Sequence, residues 1–445
     1  MTASATDRRL QAAMQDLLDG DAPSYDALVE VWQHRLPQLL HFKDTPQDKD
    51  WHAEGDVEVH TRMVLDETYA LLDDDDVVHA HHVDAHRRAA LVLGALLHDI
   101  AKPLTTCERE IQGRLRVAAP KHEDMGRSLL APALAHAGLP ADVVEDVLGL
   151  VGEHIAPKFL VVKDAPAGKY VKLARQVCPQ LVYLLEVADM RGRICADQDD
   201  QLDLLEMFKL TAQEHGAFER FAGPLQWRRF LREHRDLDDV QLDWVLARAV
   251  RDVENGTIFS REEALARSFD VDAIGQVVVL VGPSGSGKSS FIESHLPGFA
   301  VVSLDDIRAH FHTRDDQSHN AAVVRRSKEQ LREHLRQKQD VVYDATSLRR
   351  DFRSALFALG DDYGALVTQV VFQHDADALR RRNRARTHAV SDAVLRRQLE
   401  KWQWPTYDEA HRTWVVDDEG VRVNIGAGVL PPALAQHARM VCADC

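Results

Sequence analysis

A chain of 445 residues exceeds what one ordinary core organises, since domains run to roughly 150 residues, so two to three units are expected. Apolar residues at 45% and charged residues at 28% exclude a disordered or fibrous chain. A formal charge of −17 excludes a surface that coats duplex nucleic acid along its length, which needs broad neutralisation of phosphates.

In chain order, MTASATDRRL carries no apolar signal region, and the longest apolar run, near AALVLGALL, is about half a membrane span. A cytoplasmic protein without a membrane partner is expected. Residues 1–50 read as a helical extension. Over 51–200 apolar residues recur every three or four positions, which predicts an all-α domain. Residues 201–270, rich in Leu, Trp and charge at helical spacing, read as a helical bridge. Then QVVVLV (276–281), AVVSL (300–304), DVVYD (340–344) and LVTQVVF (366–372) alternate with helical segments. That alternation predicts an α/β domain with a mostly parallel sheet over 271–415. Residues 416–445 read as a tail. Cys107, Cys178, Cys195, Cys442 and Cys445 show no framework spacing, so disulfides are not expected.

The helical half carries imidazoles and carboxylates on apolar stripes. In QDKDWHAEGDVEVHTRMVLDE, His60 shares a helical face with Val57 and Val64 and points inward. RRAALVLGALLHDIAKP predicts a helix whose last turn carries His98 and Asp99, followed by Lys102 and a helix-ending Pro103. His122 follows in PKHEDMG, His154 lies three and seven residues after Val151 and Val147, and Asp189 lies four after Leu185. A lone inward histidine is usually a satisfied core residue; six such positions in the order His, His-Asp, His, His, Asp point to a site.

A carboxylate buried on such a face is penalised unless a partner or metal compensates. Imidazoles with one or two carboxylates suit divalent transition ions, and a central Asp can bridge two of them. A pair of such ions would activate water against a phosphoester, while Lys102 neutralises the transferred phosphoryl group or protonates the leaving group. HAHHVDAH over 79–86 reads instead as a solvated loop.

In QVVVLVGPSGSGKSSFIESHL an apolar strand precedes Gly282, four residues, Gly287, Lys288 and Ser289, and then a helical pattern. This is the P-loop spacing in its strand–loop–helix context. Gly282, Ser284, Gly285, Ser286, Gly287 and Ser290 complete the loop whose backbone wraps a triphosphate. Lys288 reaches the β- and γ-phosphates of ATP or another nucleoside triphosphate, and Ser289 holds Mg2+.

AVVSL leads to Asp305, with Arg308 one helical turn on. A carboxylate at that strand end can accept the proton of an attacking hydroxyl, and Arg308 can bind the acceptor's phosphate or the transferred one; the plainer reading of Asp305 is a helix N-cap. Asp344 ends DVVYD and supports Mg2+ through water or shapes the acceptor site. The segment LRRRNRARTHAVSDAVLRRQLEKWQWP is dense in arginine, with Arg380, Arg381, Arg382, Arg384 and Arg386. It suits a lid over the triphosphate in which Arg386 is the contact.

WHAEGDVEVHT, LLHDIAKP, KHEDMG, LVGEH and ADMRGR resemble the HD phosphohydrolases, in detail the HD domain of some tRNA nucleotidyltransferases. The resemblance implies metal ligation by His60, His98, Asp99, His122, His154 and Asp189, with Asp99 bridging and Mn, Ni, Co, Fe or Zn as the pair of ions. VGPSGSGKSS, SLDDIR, VVYDATSLRR and RRNRARTHAV resemble the polynucleotide 5′-kinase branch of P-loop phosphotransferases. That likeness implies Lys288 and Ser289 as the phosphate-loop pair, Asp305 as general base, Arg308 as acceptor-side arginine and Arg386 as lid arginine. Ser347 stands where the family usually has Asn, and Ser391 where Pro is common.

The order of the two parts is similar to a bacterial bifunctional end-healing family. Such a chain phosphorylates RNA or DNA 5′-OH ends and removes 2′,3′-cyclic phosphate and 2′- or 3′-phosphate ends, leaving sealing to a separate ligase. Two other readings stay open: a nucleotide phosphohydrolase fused to a small-molecule kinase, or an HD enzyme regulated by an ATP-sensing P-loop domain. The single CxxC of Cys442 and Cys445 reads as part of a disordered tail.

Overall fold

The computed structural model describes residues 4–220, 227–267, 273–311, 320–418, 420–423 and 438–440. The chain divides into two compact units, Met1–Ala222 and Gly223–Cys445. Among the described residues no helix is long and apolar enough to cross a membrane.

The first unit opens with α1 (Ala5–Leu18), α2 (Tyr25–Trp32) and a 3-10 segment over Pro37–Asp44. Next come α3 (Val57–Leu72), α4 (Asp75–Ala80), α5 (Ala85–Leu97) and the short α6 (Lys102–Thr105). Every residue of α5 from Ala89 to Leu97 is buried. A helix apolar on all sides must be surrounded, and α5 is packed by α3, by α8 (Ala141–Glu153) and by α11 (Pro179–Arg191). Before α8 lies α7 (His122–Leu134); α9 (Ala156–Val162) and α10 (Ala167–Gln176) precede α11, and α12 (Gln198–Glu214) follows it. Gly192 closes the end of α11 against α3: a Cβ there would meet the Val64 nitrogen at 2.7 Å.

Three local readings are corrected. The first unit is not purely helical: β1 (Cys107–Ile111) and β2 (Arg114–Ala118) form an antiparallel hairpin. Its turn, Gln112–Gly113, takes positive φ at both residues (50° and 75°), the geometry of a tight primed turn. Pro103 does not end a helix; α5 stops at Leu97 with His98 as its C-cap, and Pro103 sits in the first turn of α6, where its missing N–H is harmless. The stretch 79–86 is not a solvated loop throughout, since α4 runs to Ala80 and His81 is buried, its ring stacked 5.5 Å from Tyr183.

The second unit begins with α13 (Arg228–His234), α14 (Asp239–Glu254) and α15 (Arg261–Ala266). The former bridge segment is therefore split, with α12 in the first unit and α13–α15 in the second. There follow β3 (Gln276–Val281), α16 (Lys288–His295), β4 (Ala300–Ser303), α17 (Leu304–Phe311) and α18 (Asn320–Arg336). The chain continues through β5 (Val341–Asp344), α19 (Arg350–Asp362), β6 (Leu366–Phe372), α20 (Ala376–Arg384) and α21 (Asp392–Glu400). It ends in β7 (Arg412–Asp417), β8 (Gly420–Val423) and β9 (Ala438–Met440). The expected tail thus contributes β8 and β9. Cys442 and Cys445 lie outside the described residues.

The sheet order is β4-β5-β3-β6-β7-β8-β9, with β7–β8 antiparallel and the other neighbours parallel. Val277, Val279 and Val281 enter one core cluster while Val278 and Leu280 enter another. From Val277 to Val281 β3 is apolar at every position because both faces of the sheet are covered. Helix α14 is fastened to this sheet by a buried charge network. Asp243 lies 3.1 Å from Arg228 and 3.3 Å from Arg412, whose Nε donates to Thr368 Oγ1 at 2.8 Å. Burial pushes the Asp243 carboxyl up to about 6, and the two guanidiniums only partly oppose it.

Candidate metal centre and phosphate loop

Helix ends of the first unit bring the six expected metal ligands together. His60 lies one turn into α3, His98 caps α5, Asp99 follows in the turn to α6, His122 opens α7, His154 caps α8, and Asp189 lies near the end of α11. Lys121, just before His122, adopts φ 59°, a conformation that costs a non-glycine residue energy and is common beside functional groups.

The tautomers follow from the backbone. Nδ1 of His98 lies 3.0 Å from the Ala95 carbonyl, that of His122 2.8 Å from Ala119, and that of His154 2.9 Å from Val151. A carbonyl only accepts, so each ring donates from Nδ1 and turns the lone pair of Nε2 inward. Nε2 of His122 then faces Nε2 of His154 at 3.1 Å and Asp99 Oδ1 at 3.3 Å. Nε2 of His98 faces Asp99 Oδ2 at 3.2 Å. Burial, reinforced by His122 and His98, holds the His154 imidazole well below its ordinary value, which keeps it neutral. Lone pairs facing one another without a proton between them call for a cation, and these nitrogen and oxygen donors fit divalent ions.

Other groups hold the ligands in place, and sequence reasoning missed them. Glu54, with its side chain fully buried, lies 3.0 Å from His60 Nδ1 and 2.8 Å from His52 Nδ1. Burial opposes its charge, but the hydrogen bonds from His52 and His60 hold the carboxyl well below the usual range. Nε2 of His60 is 2.9 Å from Asp189 Oδ1, and Arg193 holds Asp189 Oδ2 at 2.6 Å. Lys102 places Nζ 2.6 Å from Asp99 Oδ2 and 2.6 Å from Gln47 Oε1. His52 and Glu54 precede α3 in irregular chain, where no periodicity marks an inward residue; the acid between two histidines is their only signal. The centre opens into a cleft of about 420 Å³ lined by Trp51, Lys102, Lys158, Phe159 and Arg193 among others.

In the second unit the loop between β3 and α16 has the expected glycine conformations. Gly285 and Gly287 take φ 85° and 94°, and a Cβ at Gly285 would lie 2.9 Å from the Asn383 nitrogen on α20. Lys288 turns its ammonium into the loop and donates to the carbonyls of Gly282 and Pro283, each at 2.9 Å, and to Ser286 Oγ at 3.3 Å. Burial lowers it to about 8, with Asp344 and Asp305 opposing and Arg386 assisting. The Ser284 amide donates to Gln398 Oε1 at 2.8 Å, a contact with α21 that the sequence did not signal. Ser289 and Ser290 are exposed at the start of α16.

Asp305 lies in the first turn of α17, just past β4, with its side chain 65% exposed, 2.6 Å from Arg308. It is not the helix cap: the Asp306 amide donates to Ser303 Oγ at 3.2 Å. Burial raises the Asp344 carboxyl, opposed by Lys288 and assisted by Asp305. The arginine segment sorts itself by partners. Arg380 pairs with Asp377 at 2.6 Å, Arg384 with Asp392 at 2.8 Å, and Arg382 with Asp418. Arg386 has no ion pair among the described residues, yet its charge is felt by Lys288 and Asp344. Its loop is stapled by Asn383, which donates to the Val390 carbonyl at 2.7 Å and accepts from the Val390 amide at 3.1 Å.

Both departures from the kinase pattern have a local role. Ser391 caps α21, accepting from the Val394 amide at 3.3 Å. Ser347 adopts φ 44°, its buried Oγ has no hydrogen-bond partner among the described residues, and its carbonyl accepts from the buried Arg353 at 3.1 Å.

Residues 57–189 match the family model described as the HD domain, and residues 277–405 match that described as the AAA domain. The chain therefore joins an HD phosphohydrolase domain to a P-loop, kinase-like domain. No curated protein matches the chain.

Proposed function

We propose that the chain heals nucleic-acid ends, phosphorylating 5′-OH termini in the second unit and removing 2′,3′-cyclic or terminal 2′- or 3′-phosphates in the first. The observation that carries this reading is the pairing of exposed Asp305 with the largely buried Arg308 at 2.6 Å beside the phosphate loop. Binding ATP needs neither group, whereas transfer to an incoming hydroxyl uses both.

In the kinase unit the 5′ oxygen bonds to the γ-phosphorus as the bond to the β–γ bridging oxygen breaks, and ADP leaves. Asp305 takes the hydroxyl proton. Arg308, released from Asp305, binds the acceptor's phosphate, and Lys288 and Arg386 neutralise the triphosphate. Ser289 supplies the hydroxyl for Mg2+.

In the helical unit, His60, His98 and Asp189 would hold one divalent ion, His122 and His154 the second, and Asp99 both. Such a pair lowers the pKa of water and neutralises phosphate charge. Glu54 and three backbone carbonyls fix the ring orientations, and Lys102 lines the cleft where the reacting phosphate would lie. Water adds to phosphorus, the bond to the 2′ or 3′ oxygen breaks, and Lys102 protonates the departing oxygen.

An oligonucleotide bearing a 5′-OH and a 2′,3′-cyclic phosphate, incubated with ATP and a panel of divalent ions, tests both halves. The expected products carry a 5′-phosphate and lose the cyclic phosphate. Faster phosphorylation of free nucleosides than of the oligonucleotide would replace this reading with that of a small-molecule kinase.

A further inference from the structure

The hairpin β1–β2 lies outside the donor set, and its charge is sorted by face. In its register Arg109 lies opposite Arg116 and Ile111 opposite Arg114, whereas Glu108 and Glu110 lie opposite Val117 and Leu115. Cross-strand partners share a face, and like charges directly opposite destabilise the pair. One side therefore gathers Arg109, Arg114 and Arg116, in a chain of net charge −17. Arg109 and Arg114 are exposed and pair with no acid among the described residues. A face built against its own electrostatics fits a polyanion.

Through Arg116 that face reaches the mouth of the cleft. Arg116 lies 2.8 Å from Asp48, 3.0 Å from Asp50 and 4.6 Å from the centre of the Trp51 ring, and Asp48 and Trp51 both line the cleft. The Trp51 indole is backed by a guanidinium and remains 39% exposed. A braced aromatic ring beside cations is the combination on which unpaired bases stack while the backbone follows positive charge.

We infer that the helical unit takes the end of a single strand, with the terminal base on Trp51 and the preceding phosphates along Arg109 and Arg114. This rests on the reading of that unit as a phosphoesterase of nucleic-acid ends. The strand, not a free nucleotide, is the substrate class for which the hairpin is built.

The test uses the full chain with Mn2+ and three substrates: a twelve-nucleotide RNA ending in a 2′,3′-cyclic phosphate, a 2′,3′-cyclic mononucleotide, and bis(p-nitrophenyl) phosphate. The expected kcat/KM is higher for the strand than for the mononucleotide. Arg109→Ser/Arg114→Ser should raise KM for the strand about tenfold and flatten the log–log salt dependence by about 1.4, from about 0.7 per single-strand phosphate contact. The mononucleotide should move less than twofold. Trp51→Leu should raise KM for both nucleotide substrates and Trp51→Phe restore it, a rescue that a merely structural role would not give. Equal wild-type kcat/KM on strand and mononucleotide, or an unchanged salt slope in the double variant, overturns the hairpin track and leaves the phosphoesterase reading standing. Cleavage of bis(p-nitrophenyl) phosphate alone overturns the end-processing reading itself.

Discussion

Nε2 of His122 and Nε2 of His154 face each other at 3.1 Å, although the proton of each ring is committed to a backbone carbonyl. A cation between them removes that repulsion, so divalent ions should stabilise the first unit. At about a hundred times its dissociation constant an ion adds about 2.7 kcal/mol, visible as an upward shift of the thermal transition that chelation reverses. His154→Ala should lose most of the shift. Absence of any shift with Mn, Ni, Co or Zn ions would refute the metal centre.

The two chemistries should separate cleanly by mutation. Asp305→Ala removes the proton acceptor and is expected to slow phosphoryl transfer by about 10²–10⁴-fold while ATP binding and phosphoester hydrolysis persist. Asp99→Ala should do the converse. Loss of both activities in either variant contradicts two independent sites.

Burial of its ammonium in the loop lowers Lys288 to about 8. An arriving triphosphate favours the charged form, so ATP binding at pH 8 should take up protons, and affinity should fall as pH rises beyond that value. Calorimetry in buffers of different ionisation enthalpy measures the uptake directly, and Lys288→Ala should abolish it.

Asp243 provides a second pH signature, of opposite origin. Its carboxyl titrates near 6 in the folded chain against an ordinary 3.8, so the folded state holds the proton more tightly and its contribution to stability declines as pH rises from about 4 to about 6. Asp243→Ala should lack that slope in denaturant titrations and, by stranding Arg412 and Arg228, lower the stability of the second unit by about 3–5 kcal/mol.

Ser347 combines a left-handed backbone with a buried hydroxyl that has no hydrogen-bond partner among the described residues. Ser347→Gly relieves both and should raise the stability of the second unit by about 1 kcal/mol, measured by thermal unfolding. A decrease would mean that the hydroxyl has a role the apo geometry hides.

The parts of this molecule that were legible in its sequence obey a period. His60, His154 and Asp189 declared themselves by sharing helical faces with buried Val and Leu, β3 and β5 by apolar runs covered on both faces, and β4 and β6 by their valine-rich cores. What escaped had no period to follow. Glu54 acts from irregular chain, Gln398 reaches the phosphate loop from a distant helix, and β1 sets arginine between glutamates while β2, which alternates arginine with apolar residues, is only five residues long. The strands after residue 411 were passed over although Thr413, Trp414, Val415 and Val416 are strong strand formers, and β8 gains its place by pairing with β7.

The carbonyls that aim His98, His122 and His154 each lie three residues back on the same chain. The direction of every such ring is therefore a local property of the chain just before it, whereas the distances between the rings are set by how the helices pack around α5. A substitution in those apolar contacts would thus shift the spacing of the imidazoles without turning them.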